Sequence, residues 1–202
     1  MGVIISTDSA CDLFPDLYKQ YQIDVVSLYI TIEEHSYRDV FEIGPDELFV
    51  NYEKTHRLPK TSAPPPADFF TMFKKHVDNG DDVVHIAMNS KFSSSYQNAC
   101  TAAKEFDNVY VVDTFTLSSA QGLLVLRAAD MRDAGMSAKK IFDQIEIDKT
   151  KMRTNVLGYL GVCLSRRQGY TAANVRGEPV KAASLSAAGH ARRTDSTQKV
   201  SR

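Results

Sequence analysis

The sequence predicts an α/β protein with a mostly parallel sheet flanked by helices, on two observations. Short apolar runs of strand length (Val3-Ile4-Ile5, Asp82 to Met88, Val109 to Val112) alternate with longer stretches of helical spacing, the pattern of βα units. Each of these runs also ends in a polar loop, as strands do where an open α/β sheet meets its ligand-binding edge.

The elements follow in order. Val3-Ile4-Ile5 runs into Ser6-Thr7-Asp8-Ser9, and a helix-like segment extends from Asp12 to about Gln20. Ile23 to Ile32 alternates and is β-rich, which reads as two short strands or one bent strand. Pro45 to Tyr52 is helical, with proline in the first turn and acidic residues after it. Leu58 to Pro66 holds four prolines, which remove donors and fix φ, so it is expected to be an extended loop. Asp68 to Val77 has helical spacing in Phe69, Phe70, Met72, Phe73 and Val77. Asp82 to Met88 reads as a buried strand, Ser95 to Phe106 as a helix and Val109 to Val112 as a further buried strand. Helices are expected over Ser118 to Ala134 and Ser137 to Ile147, separated by Gly135 as a stop signal.

Composition narrows the function classes. The 202 residues are 43% apolar with a net charge of −1, so nothing in the whole chain draws it to nucleic acid or to a membrane surface. No run has the apolar length that crosses a bilayer, and the N-terminus reads directly as a strand rather than a signal peptide. The three cysteines, Cys11, Cys100 and Cys163, are far apart and without close histidines. This disfavours a disulfide framework or a zinc site and fits a reducing cytoplasm. No metal and no cofactor are expected.

The chemistry-bearing residues gather in loops. Ser6-Thr-Asp-Ser9, Asn89 to Ser95, and Asp113-Thr114 with Ser118 follow strand-like segments, and Thr61-Ser62 in the proline loop could join them. Taken singly, each has a helix-capping or turn-capping explanation. Together they suggest an anion-binding mouth. There is no glycine-rich phosphate cradle with its lysine and no Gly-x-Ser-x-Gly elbow. His85 lies within an apolar run and reads as a core or strand-face residue. Neutral hydroxyls and helix-terminal amides suit a carboxylate, each charge-assisted bond contributing roughly 1.5–3 kcal/mol.

Several of these stretches resemble one family. Ser6-Thr-Asp-Ser-Ala-Cys-Asp-Leu13, Tyr37-Arg-Asp39, Pro59-Lys-Thr-Ser-Ala-Pro64, Asn89-Ser-Lys-Phe-Ser-Ser-Ser-Tyr-Gln97, Val111-Val-Asp-Thr114 and Ser118-Ser-Ala-Gln-Gly122 are similar to motifs of the DegV proteins. They stand in that family's order and spacing over about residues 1–150. The resemblance implies a two-domain, non-catalytic protein enclosing one long-chain fatty acid, whose carboxylate is presented to a partner fatty acid kinase. It implies that Thr61 and Ser93 bond that carboxylate and that Ser62 and Ser95 shape the same mouth. Ser94 stands where the family commonly has glycine, which would crowd or strain the loop if that position needs a positive φ. Ala120 and Ser27 likewise replace a common glycine and a common proline.

The resemblance stops near residue 154. Residues 155–202 carry a charge of +6 against −7 for residues 1–154, and lack Ile, Phe, Met and Trp altogether. Such a segment buries too little apolar surface to offset its ordering entropy. Its possible codons, read one base later, permit Leu-Asp-Thr-Leu-Glu-Tyr across 156–163 and Gly-Gly-Arg across 166–169. They also permit Asp-Gly across 192–194 and Lys-Lys-Phe/Tyr-Arg across 198–202. We therefore expect a DegV-like lipid-binding region at 1–154, an out-of-frame basic tail at 155–202, and a second domain that is incomplete or missing. Two other readings are a serine hydrolase built on Asp8, Ser93 and Asp113, and a nucleic-acid or acidic-partner contact through the basic tail.

Overall fold

Four parallel strands carry the fold, and the sequence makes them by burying both faces of each. The computed structural model describes residues 2–152 and, as backbone strands, 155–158 and 183–186. In order these are β1 (Val3–Asp8), a 3-10 turn (Ser9–Cys11), α1 (Pro15–Gln20), β2 (Ile23–Val26), β3 (Tyr29–Ile32), β4 (His35–Arg38) and α2 (Pro45–Thr55). Then come β5 (Lys60–Ser62), α3 (Pro66–Val77), β6 (Asp82–Ala87), α4 (Ser95–Ala103) and β7 (Val109–Asp113). The series ends with α5 (Ser118–Asp133), α6 (Ala138–Asp148), a 3-10 turn (Lys149–Lys151), β8 (Asn155–Gly158) and β9 (Ala183–Ser186).

The main sheet has the order β2-β1-β6-β7 and is parallel throughout. On β6, Val83 joins one core with Phe69 and Phe73 of α3 and Ala99 of α4. Val84 and Ile86 join the other core with Leu124, Val125, Ile141 and Ile145 of α5 and α6. Period-two alternation with apolar residues on both sides gives the uninterrupted run seen in the sequence. His85 faces the Phe69 and Phe73 edges, with ring centroids at 5.3 and 5.7 Å, and is fully buried. Burial drives its pKa down to about 3, so the imidazole is neutral, with Nδ1 3.0 Å from the Ser6 hydroxyl.

The 23–32 stretch is two strands in different sheets, since β3 pairs antiparallel with β4 and β5 in a second sheet of order β4-β3-β5. The break falls at Ser27, whose hydroxyl donates to Asp39 O at 2.9 Å. Three details depart from the sequence reading. β4 is an unanticipated strand, because His35-Ser36-Tyr37-Arg38 is polar and mostly exposed and is held only by pairing with β3. The proline loop contains β5: Lys60, Thr61 and Ser62 lie between its prolines and have free amides to pair with Thr31, Ile30 and Tyr29. α1 begins at Pro15 rather than Asp12, which instead sits at φ 52 as the cap of the 3-10 turn. Within 155–202, expected to be a poorly structured tail, β8 and β9 pair antiparallel, and the remainder of that expectation lies outside the described residues.

At the outer edge of the main sheet, the N–H of Val25 on β2 goes to its own neighbour, Asp24 Oδ1, at 3.0 Å. The other Asp24 oxygen lies 2.6 Å from His76 Nε2 and 3.1 Å from Lys75 Nζ.

Candidate functional site

Because β1, β6 and β7 are parallel, their carboxyl ends converge on one side of the molecule. The register places Thr7 beside Ile86 and Ala87 beside Asp113, so the loops that follow these strands are neighbours.

Asp8, the last residue of β1, is wholly buried and accepts from three directions. Its Oδ2 receives the Met88 amide at 2.9 Å and the Ser95 hydroxyl at 3.0 Å, while Oδ1 receives Gln121 Nε2 at 3.0 Å. Burial pushes its pKa up, opposed by the donors of Met88, Gln121 and Ser95. Gln121 also reaches Thr7 Oγ1 at 3.1 Å and Ile86 O at 3.2 Å. It does so because Gly122 lets α5 approach closely: a Cβ at that glycine would lie 2.9 Å from Cys11 O.

The loop after β7 is held by Asp113, whose Oδ1 accepts from Ser90 N at 3.2 Å and Phe115 N at 3.0 Å. Thr114 Oγ1 donates to Ala87 O at 2.9 Å, and Asn89 Nδ2 donates to Phe115 O at 2.9 Å. These bonds keep Phe115 at φ 55, an uncommon region for a bulky residue. Its ring lies under Lys149 Nζ, 4.5 Å from the centroid, and that ammonium is paired with Glu146 at 2.6 Å.

Between these anchors lies the serine stretch. Ser93 is half-buried, Ser94 exposed and Ser95 buried. The Ser93 hydroxyl oxygen accepts the Ser95 amide at 3.1 Å, closing a serine turn just ahead of α4, whose N-cap is Ser94. No partner among the described residues takes the Ser93 proton. Ser95, by contrast, has given its own proton to Asp8. Ser94 has φ −77, an ordinary conformation, so replacing glycine there brings no backbone strain. Thr61 and Ser62 on β5 are exposed, and neither hydroxyl has a partner among the described residues. Asn98 Nδ2 of α4 donates to Pro64 O at 2.7 Å, tying the strand-end loops to the segment that leaves β5.

Of the four residues singled out in the sequence, then, Thr61, Ser62 and Ser93 keep a spare donor among the described residues, while Ser95 is committed inward. Ser118 is not an N-cap, since Leu117 holds that place and Ser118 is the first helical residue, at φ 56. The hydrolytic constellation of Asp8, Ser93 and Asp113 does not assemble: both carboxylates are engaged by backbone amides and other side chains, and neither bonds Ser93. The sequence reading assigned no role to Gln121 or Asn89. An amide beside a glycine in the first turns of a helix was the available sign for Gln121. Among the described residues, no group of His, Cys, Asp and Glu is placed to hold a metal ion. No helix among them is long and apolar enough to cross a membrane.

A family model described as "Uncharacterised protein, DegV family" matches residues 3–158. A DegV domain-containing protein of Clostridium perfringens is 33% identical over 143 residues, 70% of this chain and 51% of that protein. One from Deinococcus radiodurans is 33% identical over 147 residues, 72% of this chain and 52% of the relative. The chain thus spans about half the length of the curated relatives it matches. Among solved structures, a fatty-acid-binding DegV family protein from Thermus thermophilus superposes with a TM-score of 0.74 at 31% identity, over 84% of this chain and 60% of the other. A stearic-acid-binding protein from Eubacterium ventriosum gives 0.74 at 27%, over 86% and 63%. With its four-stranded parallel sheet and its hydroxyl-rich strand ends inside the matched span, the chain belongs to the DegV family.

Proposed function

We propose that this chain binds a long-chain fatty acid, with Thr61 and Ser93 donating to the carboxylate and Ser62 and Ser95 shaping the same mouth. One observation carries the reading: the Ser93 hydroxyl takes the Ser95 amide on its oxygen and so has its own proton left to give. The α4 terminus beside it adds a favourable field for an anion. Related DegV structures described as fatty-acid-binding support the ligand class. In this reading residues 1–154 are the lipid-binding region, the protein is a carrier and not a catalyst, and the held carboxylate is offered to a fatty acid kinase for phosphorylation. The 155–202 tail takes no part, and the genomic reading frame beyond codon 154 tests that division.

The decisive measurement is titration of the 202-residue chain with a fluorescent long-chain fatty acid. Thr61→Ala and Ser93→Ala should each weaken binding by about tenfold or more, the size of one charge-assisted hydrogen bond. Saturable binding that neither substitution alters would refute the site. Addition of a fatty acid kinase and ATP should then yield acyl phosphate only from the bound acid.

A further inference from the structure

We propose that Asp8 is a positioning residue for the carboxylate site, fixing from beneath the direction in which the Ser95 and Ser93 hydroxyls donate. This rests on the fatty-acid reading given above.

The geometry follows from what each partner is able to do. The Met88 amide and Gln121 Nε2 are obligatory donors, one on each Asp8 oxygen, so both oxygens act as acceptors. Ser95 Oγ, sharing Oδ2 with Met88, then points its single proton inward. With its side chain turned to Asp8, the Ser95 amide meets Ser93 Oγ at 3.1 Å and occupies a lone pair there. A hydroxyl oxygen that accepts from one side directs its proton elsewhere, and Ser93 is the half-buried member of the stretch, next to exposed Ser94. Asp8 never meets the ligand in this scheme. It converts three inward donors into one outward donor.

The anchor is independent of the serine loop it orients. Asp8 ends β1, Met88 directly follows β6, and Gln121 belongs to α5. The loop is therefore referenced to the sheet and to α5, and not only to its own turn. A carboxylate buried completely, with no cation among the described residues paired to it, is costly to keep. A turn alone needs no such group, since Asn89 and Asp113, each nearly fully buried, already close the neighbouring loops through Phe115 O and the Ser90 amide.

Amide hydrogen exchange and fatty-acid titration on the full 202-residue chain test the scheme. Asp8→Asn turns one acceptor into a donor facing another donor. It should speed exchange of the Ser95 amide by about tenfold or more while Val84 and Val112 in the sheet stay protected. Ser95→Ala removes only the link and should do the same to its own amide, which covers the case in which Asp8→Asn fails to fold. In the titration each variant should bind about tenfold more weakly, and the double variant no more weakly than either single one, because both act through one path. Ser95 exchange unchanged in a folded variant, or affinity losses that multiply in the double variant, overturns the positioning role. A wild-type chain that takes up no fatty acid overturns the ligand reading alone, and the exchange result still decides whether Asp8 orders the loop.

Discussion

Gly122→Ala should destabilise the protein even though it places a better helix former in a helix. The substitution gains about 1 kcal/mol of helix propensity in the α5 interior. Against this, the new methyl would sit 2.9 Å from the Cys11 carbonyl oxygen and 2.9 Å from Leu13 Cδ2, with Leu13 Cγ at 3.3 Å. The leucine can turn away. The carbonyl cannot, because it belongs to the 3-10 turn whose Ser9 and Cys11 are buried under α5. Overpacking of this kind costs about 1–3 kcal/mol, and a backbone contact puts it in the upper part of that range. The net loss is then about 1–2 kcal/mol, which lowers Tm by about 3–6 °C in a domain of this size. Thermal unfolding followed by far-ultraviolet circular dichroism measures it, with urea unfolding to check that the slope is unchanged. A helix that backs away also withdraws Gln121 from Asp8, so the Ser95 amide should exchange faster in the same variant. An unchanged or higher Tm would refute the close approach from which the reach of Gln121 was derived.

Two further outcomes follow from the same geometry. Asp113→Ala strips the acceptor from two backbone amides, Ser90 and Phe115. It should cost about 1–3 kcal/mol in a urea titration, and the Phe115 amide should lose exchange protection. Asp24 governs an acid limb of stability: burial alone would raise its carboxyl, but hydrogen bonds from His76 and Lys75 prevail and hold it below the usual carboxylate range. Its contribution is therefore fully present above the unfolded pKa of about 3.9 and is lost as pH falls through the lower folded value. His76→Ala should flatten that limb in urea midpoints measured from pH 6 to pH 2.5.

What was legible in the sequence was whatever burial wrote into it. Val83 to Ala87 is apolar at nearly every position because it faces a helix layer on each side, and α3 shows itself through Phe69, Met72 and Phe73 on one face. β4 left no such mark, being surface backbone paired to a single neighbour. The hydroxyl loops were identifiable because α/β strand ends carry them together. Which hydroxyl was free was not: Ser93, Ser94 and Ser95 are chemically alike, and only Asp8, some 87 residues away in the chain, separates the third from the first. Gln121 was hidden for the same reason, since its partners lie 35, 113 and 114 residues off.

The Asp24 carboxylate has one more consequence, for how this protein behaves in a crowd. A sheet edge is an invitation to any extended chain, because its backbone amides lack mates. At β2 the Val25 amide is already satisfied by the side chain beside it, and that carboxylate is pinned by two residues of α3. An incoming strand would bring a carbonyl oxygen to a place where a negative oxygen already sits, and would be repelled. At this one position of β2 the edge is thereby closed to a neighbour's strand, with a single acidic residue serving as the stopper.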